Sequence, residues 1–539
     1  MRTQSPAWQI GCTVLYSAFV AALSAVLSVV VGEAAERAPR HAIPDRITLD
    51  PVSLKWTAGK RLFVEPVAKE HAAEGEPAVE VTVSGPPSPT DRYSKDYSLV
   101  AHELPAVLAT VDPATLVSKI TCRVNPLERT NQPLLFVVRP GYGNSAPLEP
   151  AGWRTIEISN WGLAPLTVGE LSEIAIRTAL LPDGSRFLLG SLTLELKDAA
   201  AEAARWKPIP SDSFTVNGLW WLKENGGSLA RVPQRAQSID GLESRVWKYG
   251  QYPTGGRVRF KTDSRSLELR IDHGGDQFSW RELSLLAMAG IELYEGPPAQ
   301  MVFRQISRPL SGTEPYVATF AENTDRELRE YTLYLPMYAK LQSLEIAVDP
   351  HARIEPPTPY AMDKPVVFYG TSFIQGGCAS RASMNLPALI GRMLAVDIVN
   401  LGFAGDGRCE PEIASLMAEI DAACFVMGPI LNNLELMREN YPRFVARLRQ
   451  RWPERPILLM TRLHTQGQSE PYEVNDLVRQ VWKSMRAKGD RHVYFFDAFD
   501  LYRDGSVHPT VEGLHPSDLG FKIIADALAP ELAKILEVD

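Results

Sequence analysis

Two histidines precede prolines near the C-terminus, and each is a candidate general base: His508 and His515. The residue three positions earlier distinguishes them, since it is Gly505 before the first histidine and Glu512 before the second. Only a carboxylate orients an imidazole and stabilises its cation while the imidazole takes a proton from a nucleophile. We therefore predict that His515 is a general base oriented by Glu512, and that His508 is a loop residue.

The matching nucleophile is predicted at Ser372. This serine follows an apolar run at residues 366–369, and Gly376 and Gly377 come shortly after it. A serine at a tight turn after a buried strand has backbone N–H groups exposed beside its hydroxyl, which suits attack on an acyl carbon. The alternative role for Ser372 is to cap the helix that follows.

Two further positions are candidates for stabilising the oxyanion that such an attack produces. Gly405 lets the backbone approach the developing charge because it has no Cβ, although glycine is also an ordinary turn residue. Asn432 or Asn433 can donate a side-chain N–H to the same oxygen, and the spacing from the preceding apolar run favours Asn432. An asparagine pair in a loop also serves as turn chemistry.

Most of these residues follow short apolar runs in the last third of the chain. The runs lie at residues 366–369, 397–400, 424–427, 457–460 and 493–496. Segments of helical length alternate with them, around residues 384–394, 411–420, 437–451, 470–487 and 518–536. Strands that are apolar throughout are buried on both faces, which requires helices above and below a parallel sheet. Residues 363–539 are therefore predicted to form a doubly wound α/β domain with its site at the carboxyl ends of the strands.

Four blocks of this domain resemble, in order, those of the SGNH/GDSL hydrolase family: residues 368–373 (FYGTSF), 400–405 (NLGFAG), Asn432 and 512–516 (EGLHP). The resemblance covers all of 363–539 and is closest to a branch in which a β-sandwich precedes the hydrolase domain. It implies a flavodoxin-like hydrolase fold with Ser372 as nucleophile and His515 as base. It also implies an oxyanion hole made by the backbone N–H groups of Ser372 and Gly405 and the side chain of Asn432.

Two positions depart from the family pattern. Thr371 stands where an aspartate often precedes the serine, at a place with no catalytic role. Glu512 stands where the acid is usually aspartate, and its side chain is one methylene longer. The nucleophile and the base are unaffected, so the identity of the triad acid is the question that the structure must answer.

Upstream of the hydrolase domain, the sequence predicts two β-rich, sandwich-like domains. Residues 40–200 alternate apolar and polar positions in short runs between prolines and glycines, which is typical of half-buried antiparallel strands; their role is unknown. Residues 211–350 show the same pattern and predict a β-sandwich. Its residues Trp220, Trp221 and Tyr252 are candidates either for a sugar-stacking platform or for the core.

The first 35 residues predict export. No charged residue lies between Arg2 and Glu33, and residues 10–31 are almost wholly apolar. Such a segment is either cleaved as a signal peptide or kept as a membrane anchor, because its 22 residues are long enough to cross a bilayer. We therefore expect an extracytoplasmic protein that is secreted, periplasmic or anchored by residues 10–31.

Composition limits the partners. A formal net charge of −8 without a concentrated basic surface argues against nucleic acid. Outside the export segment only four cysteines remain, too few for a disulfide framework, and Cys378 and Cys409 either pair or stay as thiols. No cysteine and histidine pattern indicates a metal, and no cofactor is expected.

Together these observations predict a serine esterase that hydrolyses small acyl esters. By the resemblance, acetyl groups on carbohydrate are the expected substrate, as a small molecule or a polysaccharide. One alternative is a lipase or lysophospholipase, which needs a broad apolar acyl groove. Another is an inactive glycan-binding protein, against which the retention of all four blocks argues.

Overall fold

In the computed structural model, the described part of the chain runs from residue 46 to residue 538 with short gaps. The gaps are residues 52–53, 55, 59, 68–77, 85–97, 102–107, 109–110, 128–132, 140–141, 148–152, 159–165, 172, 179–180, 182, 240–241, 276–279, 310–314, 323–324, 465–471 and 503–508. The predicted export segment at residues 1–35 and the competing histidine His508 lie outside the described residues. No helix within the described residues has the length and apolar character needed to span a membrane.

The first domain is built from two antiparallel sheets whose strands are β1 (Arg46–Leu49), β2 (Trp56–Ala58), β3 (Leu62–Val67), β4 (Ala78–Val83), β5 (Ser98–Ala101), β6 (Leu116–Pro126), β7 (Pro133–Arg139), β8 (Tyr142–Pro147), β9 (Arg154–Ile158), β10 (Glu173–Arg177) and β11 (Arg186–Lys197). One sheet has the order β3-β4-β11-β6-β9, with β1 also on β11, and the other has the order β2-β5-β10-β7-β8. In β4, Val79, Val81 and Val83 enter the core between the sheets. The alternation seen in the sequence therefore places every second side chain inside.

Helix α1 (Ala199–Arg205) connects this domain to a second sandwich, which carries the short helices α2 (Ser244–Gly250) and α3 (Leu285–Ala289). Its strands are β12 (Trp206–Pro208), β13 (Thr215–Asn217), β14 (Arg257–Thr262), β15 (Ser266–Asp272), β16 (Glu292–Glu295), β17 (Val302–Ile306), β18 (Tyr316–Glu322), β19 (Arg329–Tyr334), β20 (Ser343–Ala347) and β21 (Ile354–Glu355). They form one sheet of order β12-β20-β15-β18 and another of order β13-β14-β19-β16-β17, with β21 on β14.

The last domain contains a parallel sheet of β22 (Val366–Gly370), β23 (Ile398–Gly402), β24 (Cys424–Met427), β25 (Ile457–Met460) and β26 (Val493–Phe496). Its order is β23-β22-β24-β25-β26, so the strand order reverses at β22. The helices are α4 (Ser372–Gln375), α5 (Leu386–Met393), α6 (Pro411–Met417), α7 (Leu434–Arg451), α8 (Glu473–Ala487) and α9 (Asp518–Leu536). The predicted fold class, β-rich domains followed by a doubly wound α/β domain, is confirmed.

Both faces of the parallel sheet are covered. Phe368 of β22 enters a core that includes residues of α5 and α9, whereas its neighbours Val367 and Tyr369 enter a core with α6 and α7. Successive side chains of a strand point to opposite faces, so a strand between two helical layers must be apolar at every position. This is why the run at 366–369 is continuous.

The second sandwich and the hydrolase domain share buried polar contacts. Arg257 of β14 forms an ion pair with Asp397. Glu292 of β16 is fully buried, accepts the backbone N–H of Ser383 at 2.7 Å and pairs with Arg381 Nε at 2.9 Å. A buried charge keeps its partners because losing one leaves the other unpaired in a low dielectric. These contacts fix the sandwich against the hydrolase domain.

Candidate active site

Ser372 begins a single helical turn at the point where β22 leaves the sheet. The whole of β22 is buried, and Ser372 itself is buried at the start of α4. Gly376 ends the turn with φ of +112°, a left-handed conformation that glycine adopts without strain. The backbone N–H groups of Gly376 and Gly377 both donate to Ser372 O, at 2.8 and 2.7 Å. The turn therefore holds the serine at the carboxyl end of the sheet.

The structure brings Ser372, His515 and Glu512 together. The distance between Ser372 Oγ and His515 Nε2 is 2.8 Å. On the other side of the ring, His515 Nδ1 is hydrogen-bonded to Glu512 Oε1, which also accepts the backbone N–H of His515 at 3.2 Å. Nucleophile, base and acid thus stand in the order that proton transfer from a serine requires.

The second carboxylate oxygen of Glu512 also has a partner. Cys378 Sγ donates to Glu512 Oε2 across 3.7 Å. Burial, followed by the charge of Glu512, raises the pKa of the Cys378 thiol to about 12, so at neutral pH the thiol keeps the proton that it donates. The sequence left open whether Cys378 forms a disulfide or stays a thiol. In the structure Cys378 and Cys409 are both free and buried.

Gly377 is a second residue whose importance the sequence did not reveal. A Cβ at this position would lie 3.0 Å from His515 Cδ2 and 3.1 Å from Ser372 Cβ. Such separations are shorter than ordinary van der Waals contact, so a side chain here would press against both His515 and Ser372 and shift one of them by a few tenths of an ångström. The two consecutive glycines after Ser372 were the available signal, and only the second is constrained by the catalytic pair.

One side chain of β23 and one of α4 connect the Ser372 turn to the Gly405 loop. Asn400 Nδ2 donates to Ile374 O at 2.7 Å, and its Oδ1 accepts the N–H of Gly402 at 2.9 Å. Gln375 Oε1 accepts the N–H of Ala404 at 2.9 Å. Asn400 and Gln375 are both fully buried. These bonds hold the loop rigidly beside the nucleophile.

Gly405 lies in this loop with φ of +75°. Residues with a side chain adopt this conformation only with strain. The backbone therefore favours glycine at this position independently of its predicted role beside the oxyanion. Two residues later, a Cβ at Gly407 would meet Gly370 and Thr371. The Gly405 loop therefore runs directly along the end of β22.

The two asparagines after β24 have different partners. Asn433 caps α7, because its side chain accepts the backbone N–H of Leu436 at 3.1 Å. Asn432 is exposed, and no described residue is hydrogen-bonded to its side chain. Leu431 N donates to Gly407 O at 3.3 Å, which joins this loop to the Gly405 loop. Asn433 thus has a structural role at the start of α7, and the oxyanion role of Asn432 stays a prediction.

The candidate site includes side chains of the types that bind metal ions. Among the described residues, Cys378, Glu512 and His515 have ligand atoms within 4.8 Å of one another. Cysteine binds metals as the thiolate, whereas burial raises the pKa of this thiol to about 12. In the structure these three side chains are bonded to one another, since the Cys378 thiol donates to one oxygen of Glu512 and His515 Nδ1 is hydrogen-bonded to the other.

The predicted aromatic platform divides in the structure. Trp221 and Tyr252 are buried, and Trp221 Nε1 donates to Glu419 Oε2 of the hydrolase domain at 3.1 Å. Trp220 is 40% exposed. The core interpretation therefore holds for two of the three residues, and these three do not form a shared stacking surface.

Two family models match the chain in succession. Residues 363–533 match the GDSL-like lipase/acylhydrolase family. Residues 204–354 match the model described as the N-terminus of SGNH-hydrolase-type esterases. No curated protein matches the sequence. The first domain lies outside both matches.

Solved structures resemble the second and third domains together. A protein from Bacteroides ovatus ATCC 8483 described as a GDSL-like lipase is 26% identical, with a TM-score of 0.54, over 62% of this chain and 98% of that chain. A salicylyl-acyltransferase from a tetracycline biosynthetic pathway is 20% identical, with a TM-score of 0.51, over 63% and 98%. An acetyl xylan esterase from the rumen bacterium Butyrivibrio proteoclasticus is 14% identical, with a TM-score of 0.40, over 62% and 99%.

Proposed function

We propose that this esterase removes small acyl groups through an acyl-enzyme on Ser372. Residues 363–533 belong to the GDSL-like lipase/acylhydrolase family, and residues 204–354 belong to the N-terminal module of SGNH-type esterases. The observation that carries the proposal is the 2.8 Å contact between Ser372 Oγ and His515 Nε2. Glu512 holds the opposite ring nitrogen, which completes a nucleophile, a base and an orienting acid.

Acylation starts when Ser372 Oγ attacks the ester carbonyl carbon and His515 Nε2 takes the hydroxyl proton. The imidazolium that forms is stabilised by the Glu512 carboxylate. The tetrahedral intermediate then collapses, the bond to the alcohol oxygen breaks, and His515 returns the proton to the leaving alcohol. The acyl group remains bonded to Ser372.

Deacylation repeats these steps with water as the nucleophile. In both halves the carbonyl oxygen becomes an oxyanion, for which the backbone N–H groups of Ser372 and Gly405 and the side chain of Asn432 are the proposed donors. One such donor is worth about a hundred- to a thousandfold in rate because it binds charge that exists only in the transition state.

Packing beneath the nucleophile supports a small acyl group. The Ile374 side chain fills the space beside Gly370 and Gly428, where a Cβ on either glycine would be too close to it. A long acyl chain directed inwards would have to displace this packed core, and overpacking a core is costly. We propose acetyl as the preferred group and a carbohydrate as the alcohol.

One observation favours a second candidate, a lipase-type acylhydrolase. Val511, Leu514 and Leu519 surround His515 in sequence and are 53%, 37% and 46% exposed. Exposed apolar side chains next to a catalytic group can accommodate an acyl chain that runs outwards over the surface. These three side chains, called the apolar rim below, give no advantage to an acetyl ester. The length of the acyl chain that the enzyme prefers is therefore the property to measure.

The test is a series of nitrophenyl esters from acetyl to decanoyl, with Leu514→Ser and Leu519→Ser as paired rim variants. We expect the highest kcat/KM for acetyl and no change in the acetyl rate in either variant. If the decanoyl ester is hydrolysed faster than the acetyl ester, and if the two rim variants lose only the activity on decanoyl, the protein is a lipase-type acylhydrolase. Failure to hydrolyse any ester would contradict both.

We also propose that the enzyme acts outside the cytoplasm, on the basis of the apolar residues 10–31. N-terminal sequencing of protein recovered from medium, periplasm and membranes tests this. Recovery of the full-length chain from the cytoplasm alone would contradict it.

A further inference from the structure

The second sandwich contributes a cation to the edge of the candidate active site. Arg245 lies on α2, and its Nη1 is 3.5 Å from the position that a Cβ of Gly405 would occupy. Its Nε pairs at 3.1 Å with Asp406, whose side chain is fully buried, while the Arg245 side chain is 57% exposed. The buried carboxylate thus anchors the guanidinium at Nε, while more than half of the Arg245 side chain stays accessible to a ligand.

A cluster of three aromatic side chains begins one helical turn after Arg245. Tyr249 lies one turn after Arg245 on α2 and is half-buried, as is Trp280. The ring centroids are 6.4 Å apart for Tyr249 and Trp280, 5.0 Å for Trp280 and Tyr338, and 6.4 Å for Tyr249 and Tyr338. Tyr338 is buried beneath the other two rings. Tyr249 and Trp280 therefore form a supported aromatic surface that is partly open to solvent.

This surface is connected to the turn that carries Ser372. Met337 is the chain neighbour of Tyr338, and its backbone oxygen accepts a hydrogen bond from Gln375 Nε2 at 3.2 Å. Gln375 belongs to the same helical turn as Ser372. The aromatic surface is therefore joined to the Ser372 turn, as Arg245 is joined to the Gly405 loop.

We propose that Arg245, Tyr249 and Trp280 form a subsite for the sugar ring that carries the ester, an inference that rests on the proposed function. The apolar face of a sugar stacks on aromatic rings, and its hydroxyls accept hydrogen bonds from a guanidinium. An aliphatic chain would use the rings but not the cation. The subsite belongs entirely to the second sandwich, so the hydrolase domain depends on that sandwich to recognise its substrate.

The test compares two acetyl esters: methyl glucoside tetraacetate, which has the ring, and triacetin, which lacks it. Tyr249→Ala and Trp280→Ala should each lower kcat/KM for the sugar ester by about three- to tenfold, mainly through KM, and leave triacetin hydrolysis unchanged. Trp280→Phe should retain most of the activity on the sugar ester. Trp220→Ala removes an exposed tryptophan of the same sandwich elsewhere and is the matched control.

Each remaining outcome decides against the proposal in a recognisable way. Equal losses of kcat/KM on both esters would show that Tyr249 and Trp280 only support the fold. A loss on the sugar ester alone in Trp220→Ala would show that the sugar stacks on Trp220 instead. If Tyr249→Ala does not fold, the two Trp280 variants carry the test alone. A wild-type enzyme that hydrolyses neither ester would instead contradict the proposed function itself.

Discussion

Glu512 makes three contacts through its two carboxylate oxygens. One of its oxygens meets both the ring Nδ1 and the backbone N–H of His515. The other accepts from the Cys378 thiol at 3.7 Å. A carboxylate held at both oxygens cannot rotate freely, so the longer side chain is still able to orient the imidazole. This arrangement favours a triad over a dyad in which a backbone carbonyl holds His515.

We predict that Glu512→Gln lowers kcat by at least about a hundredfold, because an amide neither stabilises the imidazolium nor accepts both N–H groups equally well. Glu512→Asp should show a smaller loss, since the charge remains but the reach to Cys378 is gone. Steady-state kinetics on an acetyl ester measures both. Near-wild-type rates in both variants would mean that the dyad operates.

Asn432 and Asn433 provide a matched pair for the oxyanion hole. Asn432→Ala should lower kcat by about a hundred- to a thousandfold with little change in KM. Asn433→Ala should keep most of the activity and instead lower the free energy of unfolding by about 1 kcal/mol, because it removes the N-cap of α7. Kinetics together with denaturant unfolding separates the two effects. The reverse pattern would move the oxyanion role to Asn433.

The sequence predicted the three side chains that the structure brings together, and it missed two residues whose contribution depends on their position. Ser372, His515 and Glu512 were identifiable because nucleophile, base and acid need particular side chains. Gly377 matters because it lies against His515, and Cys378 matters because it donates to Glu512. Both contacts join segments that are far apart in the sequence, so the order of the residues does not reveal them.

At the scale of elements, the continuous apolar runs predicted the bounds of the parallel strands accurately. Strands β24, β25 and β26 coincide with three of these runs. Helix starts were less accurate. Asn433 caps α7, so that helix begins at Leu434, earlier than the predicted segment at 437–451. Asn385 caps α5 after a short 3₁₀ turn, which delays that helix. A cap is a property of local backbone geometry, and asparagine alone does not specify it.

The segment after β23 contains a buried carboxyl. Tyr369 Oη donates to Glu410 Oε2 at 2.9 Å and accepts the backbone N–H of Cys409 at 2.8 Å. Burial raises the pKa of Glu410 from 4.5 to about 7, although Tyr369 lowers it in part. The folded protein therefore keeps a proton here at pH values where the unfolded chain has lost it.

This shift predicts a pH-dependent stability. Between pH 4.5 and about 7 the folded state binds more protons at Glu410 than the unfolded state does, so this group makes stability fall as pH rises and has no further effect above that range. Glu410→Gln, which resembles the protonated acid, should reduce that fall. Melting temperatures of both proteins at pH 5 and pH 8 measure the difference. An unchanged pH dependence in the variant would show that Glu410 is ionised in the fold.

At the scale of the whole molecule, the second sandwich and the hydrolase domain behave as one unit in their contacts. Glu292 lies in the sandwich, and both of its partners, Ser383 and Arg381, lie in the hydrolase domain. Sequence patterns identified the two domains separately. They gave no indication of this interface, because its residues are scattered polar positions in both domains.

We predict that Glu292→Ala lowers the free energy of unfolding by about 3 to 5 kcal/mol, since Glu292 is fully buried and its loss leaves the buried Ser383 and the partly exposed Arg381 without their partner. The matched control is Glu295→Ala in the same strand, which removes a more exposed ion pair with Arg304 and should cost about 1 kcal/mol or less. Urea unfolding monitored by fluorescence gives both values. Equal costs would mean that the interface contact contributes little.

The most direct test of the account is the identity of the nucleophile. Wild type, Ser372→Ala and the nearby exposed Ser380→Ala are treated with a fluorophosphonate, mapped by peptide mass spectrometry and assayed for acetate release. We predict one adduct on Ser372 in the wild type and in Ser380→Ala, both active, and neither adduct nor activity in Ser372→Ala, with a rate loss of at least about a thousandfold. A folded Ser372→Ala protein that retains most of its activity, or an adduct on another serine, would contradict the account.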